Sequence, residues 1–313
     1  MPRPLRLVFL GTPAFAVPTL ERIVDAGHGV TAVLTQPDRP RGRGQQLAAP
    51  PVKEAALRLG LPVYQPERVR RPEAVEFLRQ QACDAMVVVG YGQIIPQSVI
   101  DLAPLGIINV HGSLLPKYRG AGPIQWAILN GETRTGVTTM RIDAGLDTGD
   151  MLLKSETAIA PDEDAPSLGS RLAVLGAGLL VETLDGVAAG SIVPQPQDAA
   201  QATYAPMLKK EDGRIDWTRP AAAIHNQVRG LQPSPGAYTQ FRGQTLHVRR
   251  SRVAEAAGRP GTVVSVKPLR IACGAQSLEL LEIQAEGRKR VPAADFANGC
   301  HLTENEVLGE PSA

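Results

Sequence analysis

An α/β fold followed by a small β-barrel is predicted for this 313-residue chain, and three observations predict it. Short apolar runs alternate with helical periodicities as far as about Val187, which implies a mostly parallel sheet covered by helices on both faces. Residues 190–206, rich in Ala, Gln and Pro and poor in large apolar side chains, then read as a linker. Beyond them lie short apolar runs separated by Gly, Pro and Lys, the pattern of a small barrel. The expected organisation is a first domain over 1–189, the linker over 190–206 and a second domain over 207–313.

Leu5-Arg-Leu-Val-Phe-Leu10 predicts a buried strand, and Gly11–Pro18 turns the chain into an amphipathic helix that ends near Gly27. A second strand follows at Val30–Thr35. This opening is Rossmann-like in layout, but its turn holds one of the three glycines of a dinucleotide fingerprint, and no P-loop sequence is present. NAD and nucleoside triphosphate sites are therefore not expected. A helix from Val52 to Leu59 stops at Gly60, a short strand lies at Pro62–Tyr64, and a helix runs from Pro72 to Ala82. Ala85–Val89 reads as a fully buried strand, followed by a short helix from Pro96. Next come a strand from Leu105 to Gly112, a helix near Ile124–Leu129, strands at Gly136–Ile142 and Met151–Ile159, and a long helix from about Ala165 to Val187. In the second domain a helix around Pro220–Gly230 precedes strands at Thr245–Arg250, Gly261–Val266, Leu269–Cys273 and Ser277–Ile283.

Hydrophobic content of 43% and charged content of 20% are those of an ordinary globular protein. No apolar run approaches the roughly 18 residues of a membrane helix, and Met1–Arg6 leads into a strand rather than a signal peptide, so a cytoplasmic protein is expected. Cys83, Cys273 and Cys300 are odd in number and far apart, against a disulfide framework or a zinc site. Residues 1–205 hold 18 Lys and Arg against 20 Asp and Glu, while residues 206–313 hold 15 against 11. The excess of positive charge in the second part fits a polyanionic partner as well as it fits a solubilising surface.

The segment from Asn109 to Asp150 concentrates the chemistry. Side chains alternate along a strand, so Asn109 and His111 share one face while Val110 points to the other. An amide NH2 and a protonated imidazole aimed at one point stabilise a developing oxyanion, and a neutral imidazole accepts a proton. Either role suits acyl transfer. Alone, an Asn-x-His pair on a strand is more often structural than catalytic, but the surrounding sequence shifts that balance. Gly112–Pro123 is too apolar in its first half and too basic in its second for an ordinary solvated turn. Asp143-Ala-Gly-Leu-Asp-Thr-Gly-Asp150 offers three carboxylates on a flexible backbone. Their spacing is not that of a calcium loop, and Lys154 stands where such a loop needs glutamate, so no metal is expected. One carboxylate is better used to orient and charge the imidazole, with the others forming turns.

The loop Thr35–Gly44 is poor in apolar residues and carries Arg39, Arg41 and Arg43 at alternate positions. Its glycines and prolines oppose a helix, and its guanidinium forks match phosphate oxygens. As a lone feature such a loop is more often merely solvated, but it follows a strand of the predicted sheet and so stands near the same crevice.

At these residues the chain resembles the methionyl-tRNA formyltransferase family over nearly its whole length. The matching pieces are Phe9-Leu-Gly-Thr-Pro-Ala-Phe-Ala16, the Gln36–Gly44 loop, Val87-Val-Val-Gly-Tyr-Gly92, Asn109-Val-His-Gly-Ser-Leu-Leu-Pro-Lys-Tyr-Arg-Gly120, and Asp143–Asp150. The resemblance implies transfer of the formyl group of 10-formyltetrahydrofolate to the α-amino group of methionine on initiator tRNA. It implies catalytic roles for Asn109, His111 and Asp147, without metal. It implies a folate site including Ser113, Leu114, Leu115 and Pro116, with Val88, Gly90, Tyr91, Gly92 and Asp143 around it. It also implies tRNA contacts from Arg39, Arg41 and Arg43, with Lys209 and Lys210 at the start of an OB-fold-like domain, in a monomeric protein. Two positions depart from the family pattern: Gly122 replaces a commoner alanine, and Ser234 a commoner tryptophan. Sugar-nucleotide formyltransferases and the hydrolase module of formyltetrahydrofolate dehydrogenase share the catalytic trio, and the arginine loop argues against them. A non-catalytic RNA-binding protein is the alternative of another class, against which the intact trio speaks.

Overall fold

The computed structural model describes residues 3–41 and 46–309. In chain order its elements begin with β1 (Arg6–Gly11), α1 (Val17–Asp25), β2 (Gly29–Leu34), β3 (Arg39–Arg41), β4 (Gln46–Ala48), α2 (Pro51–Arg58), β5 (Val63–Tyr64) and α3 (Pro72–Gln80). They continue with β6 (Ala85–Val89), α4 (Gln97–Ile100), β7 (Ile107–His111), α5 (Pro123–Leu129), β8 (Arg134–Arg141), β9 (Met151–Ala158) and α6 (Ala165–Ala188). The remainder are α7 (Ala221–Gly230), β10 (Ala237–Phe241), β11 (Gln244–Ala254), β12 (Val263–Val266), β13 (Leu269–Ala272), β14 (Ser277–Ala285), β15 (Val291–Pro292) and α8 (Ala293–Gly299). Contacts divide the chain into one unit of residues 1–120, 135–157 and 169–205 and another of residues 121–134, 158–168 and 206–313.

The first unit is built on a seven-stranded sheet in the order β5-β2-β1-β6-β7-β8-β9. Strands β5, β2, β1, β6 and β7 pair in parallel, and β8 runs antiparallel to β7. Every residue of β6, Ala-Met-Val-Val-Val, is buried, as the continuous apolar run demands of a strand covered on both faces. The chain proceeds outward from β1 through β2 to β5 on one side and through β6 and β7 on the other. That reversal puts a crevice beyond the ends of β1 and β6, where open α/β sheets bind ligands. Helix α6 packs closely on the sheet at Gly176, where a Cβ would stand 2.8 Å from a methyl of Val110.

Within the segment 190–206, expected to act as a linker, residues 190–205 are stitched to this unit. Gln195 and Met151 exchange both backbone hydrogen bonds at 2.9 Å, Arg119 donates its N–H to the Thr203 carbonyl at 2.8 Å, and Ala205 donates to Arg119 at 2.7 Å. Backbone pairing needs no apolar side chains, so composition alone gave no sign of it.

The second unit carries an antiparallel sheet in the order β10-β11-β14-β13-β12, with β15 added to β14. Residues 305–309 add backbone bonds at its two edges, and Ile215 donates to Tyr238 of β10 at 2.8 Å. Val263 and Asn305 bond to this segment and to β12 respectively, Leu308 donates to Gly261, and Gly309 donates to Gln240 of β10. Inside lie Trp217, Ile224, Val228, Phe241, Val248, Ile271, Leu280 and Ile283. Strand β10 was not expected from the sequence, because Pro233-Ser-Pro235-Gly236 beside it reads as loop. Its alternating burial nevertheless has the two-residue period of a strand with one covered face.

Two side chains of α7 hold residues 158–164 within this unit. Arg229 donates to the carbonyls of Ala160 at 3.3 Å and Glu163 at 2.8 Å, and His225 is placed between Ser251 Oγ at 3.1 Å and the Pro161 carbonyl at 3.3 Å. Burial, opposed by the Pro161 carbonyl and Asp162, lowers the pKa of His225. The unfolded chain, with an ordinary histidine near 6.5, then binds more protons than the fold below that pH. Stability from this group is present above about pH 6.5 and is lost as pH falls toward the folded value. The thermal midpoint is expected to drop between pH 7.5 and 5.5, and less so in His225→Gln; parallel curves for the two chains would remove His225 as the titrating group.

Candidate active site

Strand β7 presents Asn109 between Val88 of β6 and Met140 of β8. Asn109 is half-buried, and no hydrogen bond occupies its amide among the described residues. His111, two residues on, is buried, with 5% of its surface exposed. Its Nε2 lies 2.9 Å from the Tyr118 carbonyl, which only accepts, so Nε2 carries a hydrogen and donates it. Nδ1 then faces Oδ2 of Asp147 at 3.6 Å, and that same oxygen accepts the Gly120 N–H at 2.8 Å. The two groups that hold the imidazole sit on residues with left-handed backbone, Tyr118 at φ 62° and Asp147 at φ 51°. Such conformations disfavour L-residues and persist where the surroundings enforce them, commonly at functional sites. The sequence drew no attention to Tyr118 and Gly120 as partners, beyond the unusual composition of their loop.

Asp147 reaches His111 by an indirect path. Because β8 is antiparallel to β7, the loop after it leaves the sheet level with the start of β7, where Ile142 donates to Ile107 at 2.9 Å. It folds back and rejoins at Asp150, whose carbonyl accepts from Arg141 at 2.9 Å. Asp143, expected beside the folate, forms this turn: its carboxylate accepts from Gly145 N at 3.0 Å and from the Thr148 hydroxyl at 2.8 and 2.9 Å.

The other expected folate residues divide into outward and inward groups. Gly90 and Gly92, at φ 57° and 83°, are exposed turns beyond β6. Val88 is buried, and so is the ring of Tyr91, whose phenol is pushed up to about 12 by burial and has no hydrogen-bond partner among the described residues. Only the backbone of Tyr91 faces the loops, and its carbonyl already accepts from Thr12 and Gln36. Ser113 is fully buried and donates to the Lys117 carbonyl at 2.6 Å, while Leu115 is buried beside Met140 and Met151. Leu114 and Pro116 remain half-exposed. Ile94 and Leu146, not singled out from sequence, stand 90% and 62% exposed on these two loops. Large apolar groups held in solvent beside a crevice fit a flat aromatic ligand better than water.

Arg39 and Arg41 lie on β3, which pairs with β4 as a hairpin, whereas Arg43 falls outside the described residues. Arg39 lines a cleft of about 390 Å³ with Thr12, Gln36, Pro50 and Gly92, at the ends of β1 and β6. Lys209 and Lys210 are exposed in the second unit. Lys210 borders a cavity there of about 620 Å³ with Met207, Tyr238, His247 and Glu286. Among the described residues no cluster of three or more His, Cys, Asp or Glu side chains is placed to hold a metal ion, and no helix is long and apolar enough to cross a membrane.

Comparison with known proteins gives the family and the fold. Residues 5–184 match the Formyl transferase family and residues 207–301 match the Formyl transferase, C-terminal domain family. The chain is 74% identical to the methionyl-tRNA formyltransferase of Solibacter usitatus, over 98% of this chain and 99% of that one. It is 57% identical to that of Koribacter versatilis, again over 98% of this chain and 99% of the other. Among solved structures, the fold is similar to HypX from Aquifex aeolicus in complex with tetrahydrofolic acid, with a TM-score of 0.67 and 16% identity over 97% of this chain and 49% of that longer one. It is also similar to an N-formyltransferase from Helicobacter canadensis in complex with folinic acid and dTDP-3-aminofucose, with a TM-score of 0.66 and 18% identity over 88% of this chain and 98% of that one.

Proposed function

The chain belongs to the methionyl-tRNA formyltransferases, and from that membership we propose that Asn109, His111 and Asp147 carry the transfer of a formyl group from 10-formyltetrahydrofolate to the α-amino group of methionine on initiator tRNA. The observation that carries the residue assignment is the Asp147 carboxylate, fixed by the Gly120 N–H and facing His111 Nδ1 at 3.6 Å, beside the open amide of Asn109. The unprotonated amine attacks the formyl carbon, forming the new C–N bond. Asn109 donates to the formyl oxygen as negative charge develops there, and the charged imidazole of His111 adds to that stabilisation. Asp147 holds the imidazolium and takes the proton shed by the amine, which it relays to the folate nitrogen as the bond from that nitrogen to the formyl carbon breaks.

The turns at Gly90–Gly92, the half-exposed Leu114 and Pro116, and the apolar tips of Ile94 and Leu146 form the folate cradle on this reading. Ser113, Leu115, Val88 and the Tyr91 ring shape it from behind, and Asp143 supports it by holding the turn. Residues 1–189 serve as the catalytic domain and 207–313 as a tRNA-binding domain, with 190–206 between them. The protein works in the cytoplasm as a monomer.

The test is a transfer assay that offers formyltetrahydrofolate with charged initiator tRNA, free methionine, an amino-sugar nucleotide or water as acceptor. Formylation of the charged tRNA alone is expected; transfer to the sugar or to water would overturn the assignment, and transfer to none would leave a binding protein. Arg39, Arg41 and Arg43 contact the tRNA backbone on this reading, with Lys209 and Lys210 adding to the attraction. Arg43→Ala is expected to raise the apparent KM for charged tRNA and to reduce the slope of log affinity against log salt by about 0.9, one phosphate contact's worth of counterions. Unchanged KM and slope would identify a solvated loop.

A further inference from the structure

We infer that Gln197 is a positioning residue for this reaction, holding the Asp147 turn in register with His111 through both ends of one side-chain amide. The inference rests on the catalytic reading of Asn109, His111 and Asp147. Gln197 Nε2 donates to the carbonyl oxygens of Asp147 and Gly149, each at 2.8 Å. Its Oε1 accepts from Arg119 Nε at 3.0 Å and from Arg119 Nη2 at 2.8 Å. An amide has two N–H donors and two acceptor lone pairs, so the full capacity of the side chain is used.

These bonds close a ring. Arg119 is 5% exposed and is fixed through its backbone to Thr203 and Ala205. The next residue, Gly120, donates to the Asp147 carboxylate at 2.8 Å. The turn is therefore held from the carboxylate by the Gly120 N–H and from the main chain by Gln197, which is itself held by the guanidinium of the adjacent Arg119. Asp147 at φ 51° lies in the left-handed region, which an L-residue keeps only when its neighbours impose it. Two donors from Gln197 onto the carbonyls of Asp147 and Gly149 supply that restraint. The carboxylate is thereby set opposite His111 before substrate arrives, which is where misplacement of a catalytic group by a fraction of an ångström is felt.

Gln197→Glu separates this role from simple attachment of residues 190–205. It keeps the size and the acceptor for Arg119 but turns the donor end into an oxygen facing two carbonyl oxygens. We expect kcat for formylation of charged initiator tRNA to fall on the order of tenfold, with KM for tRNA and for formyltetrahydrofolate within about twofold and the melting temperature near that of the parent. In a chain already carrying Asp147→Asn, the same substitution is expected to change kcat by less than about twofold, because its effect passes through Asp147. Additive losses, a raised KM with unchanged kcat, or parent-like kcat in Gln197→Glu would each overturn the inference while leaving the catalytic trio standing. Parent-like turnover in Asp147→Asn alone would remove the trio and this inference together. Should the glutamate chain not fold, Gln197→Asn, with the same groups on a shorter arm, carries the same cycle with the same expected and overturning results.

Discussion

Replacing Asn109 by alanine is expected to lower kcat by about 10² to 10³, the rate equivalent of about 2.7–4 kcal/mol for one oxyanion donor. The amide stands half-buried on β7 between β6 and β8 and is unoccupied by any hydrogen bond among the described residues. Its loss strands no partner, so the fold should keep nearly its full stability. His111 differs in this respect, because both ring nitrogens are engaged by Tyr118 and Asp147, and its removal leaves those groups without a counterpart. Asn109 is for that reason the cleaner probe of transition-state stabilisation. Single-turnover formylation with charged initiator tRNA, alongside tRNA binding, checks the expectation: the rate falls and the affinity holds. Asn109→Asp should be no better than alanine, since a carboxylate presents lone pairs to the developing negative charge. Parent-like rates in the alanine chain would exclude Asn109 from the chemistry.

Gly149→Ala is expected to damage the site from behind. A Cβ at this position would stand 2.0 Å from the Arg141 carbonyl oxygen and 2.9 Å from its carbon, both main-chain atoms of β8. Neither can swing aside as a side chain would, and Arg141 is tied to Asp150 by its own N–H at 2.9 Å. The return limb of the Asp147 turn must move instead. We expect about 1–3 kcal/mol of lost stability, typical of overpacking, and a fall in kcat of about a hundredfold, typical of a catalytic group shifted by roughly an ångström. Thermal denaturation and steady-state formylation measure the two effects. A chain that loses stability but keeps kcat would show that the turn tolerates displacement.

Much of this architecture is legible in the amino-acid sequence because it depends on local pattern. The apolar run Ala85–Val89 could only be a covered strand, and the two-residue period of β7 put Asn109 and His111 on one face. What escaped notice depends on pairing between distant segments. The direction of β8, and with it the doubled path of the Asp147 loop, is a fact of sheet topology that no window of sequence contains. Residues 190–205 are poor in large apolar side chains and so resemble a tether, yet Gln195 and Gln197 bind main-chain groups that any residue possesses. Tyr91 lay in a recognisable motif, but whether its ring or its backbone faced the crevice depended on the packing beneath it.

The way residues 305–309 complete the second unit bears on how the chain is made. During synthesis β12 emerges well before the segment that bonds to it, and for that interval it leaves main-chain groups open to a passing strand, whereas Tyr238 of β10 can already accept the N–H of Ile215. Folding of this half is therefore gated by elongation: the nascent sheet can form early, but its β12 border is sealed only when Asn305–Gly309 has cleared the ribosome. An enzyme reading an initiator tRNA is itself, for that brief interval, a nascent chain with an unguarded edge.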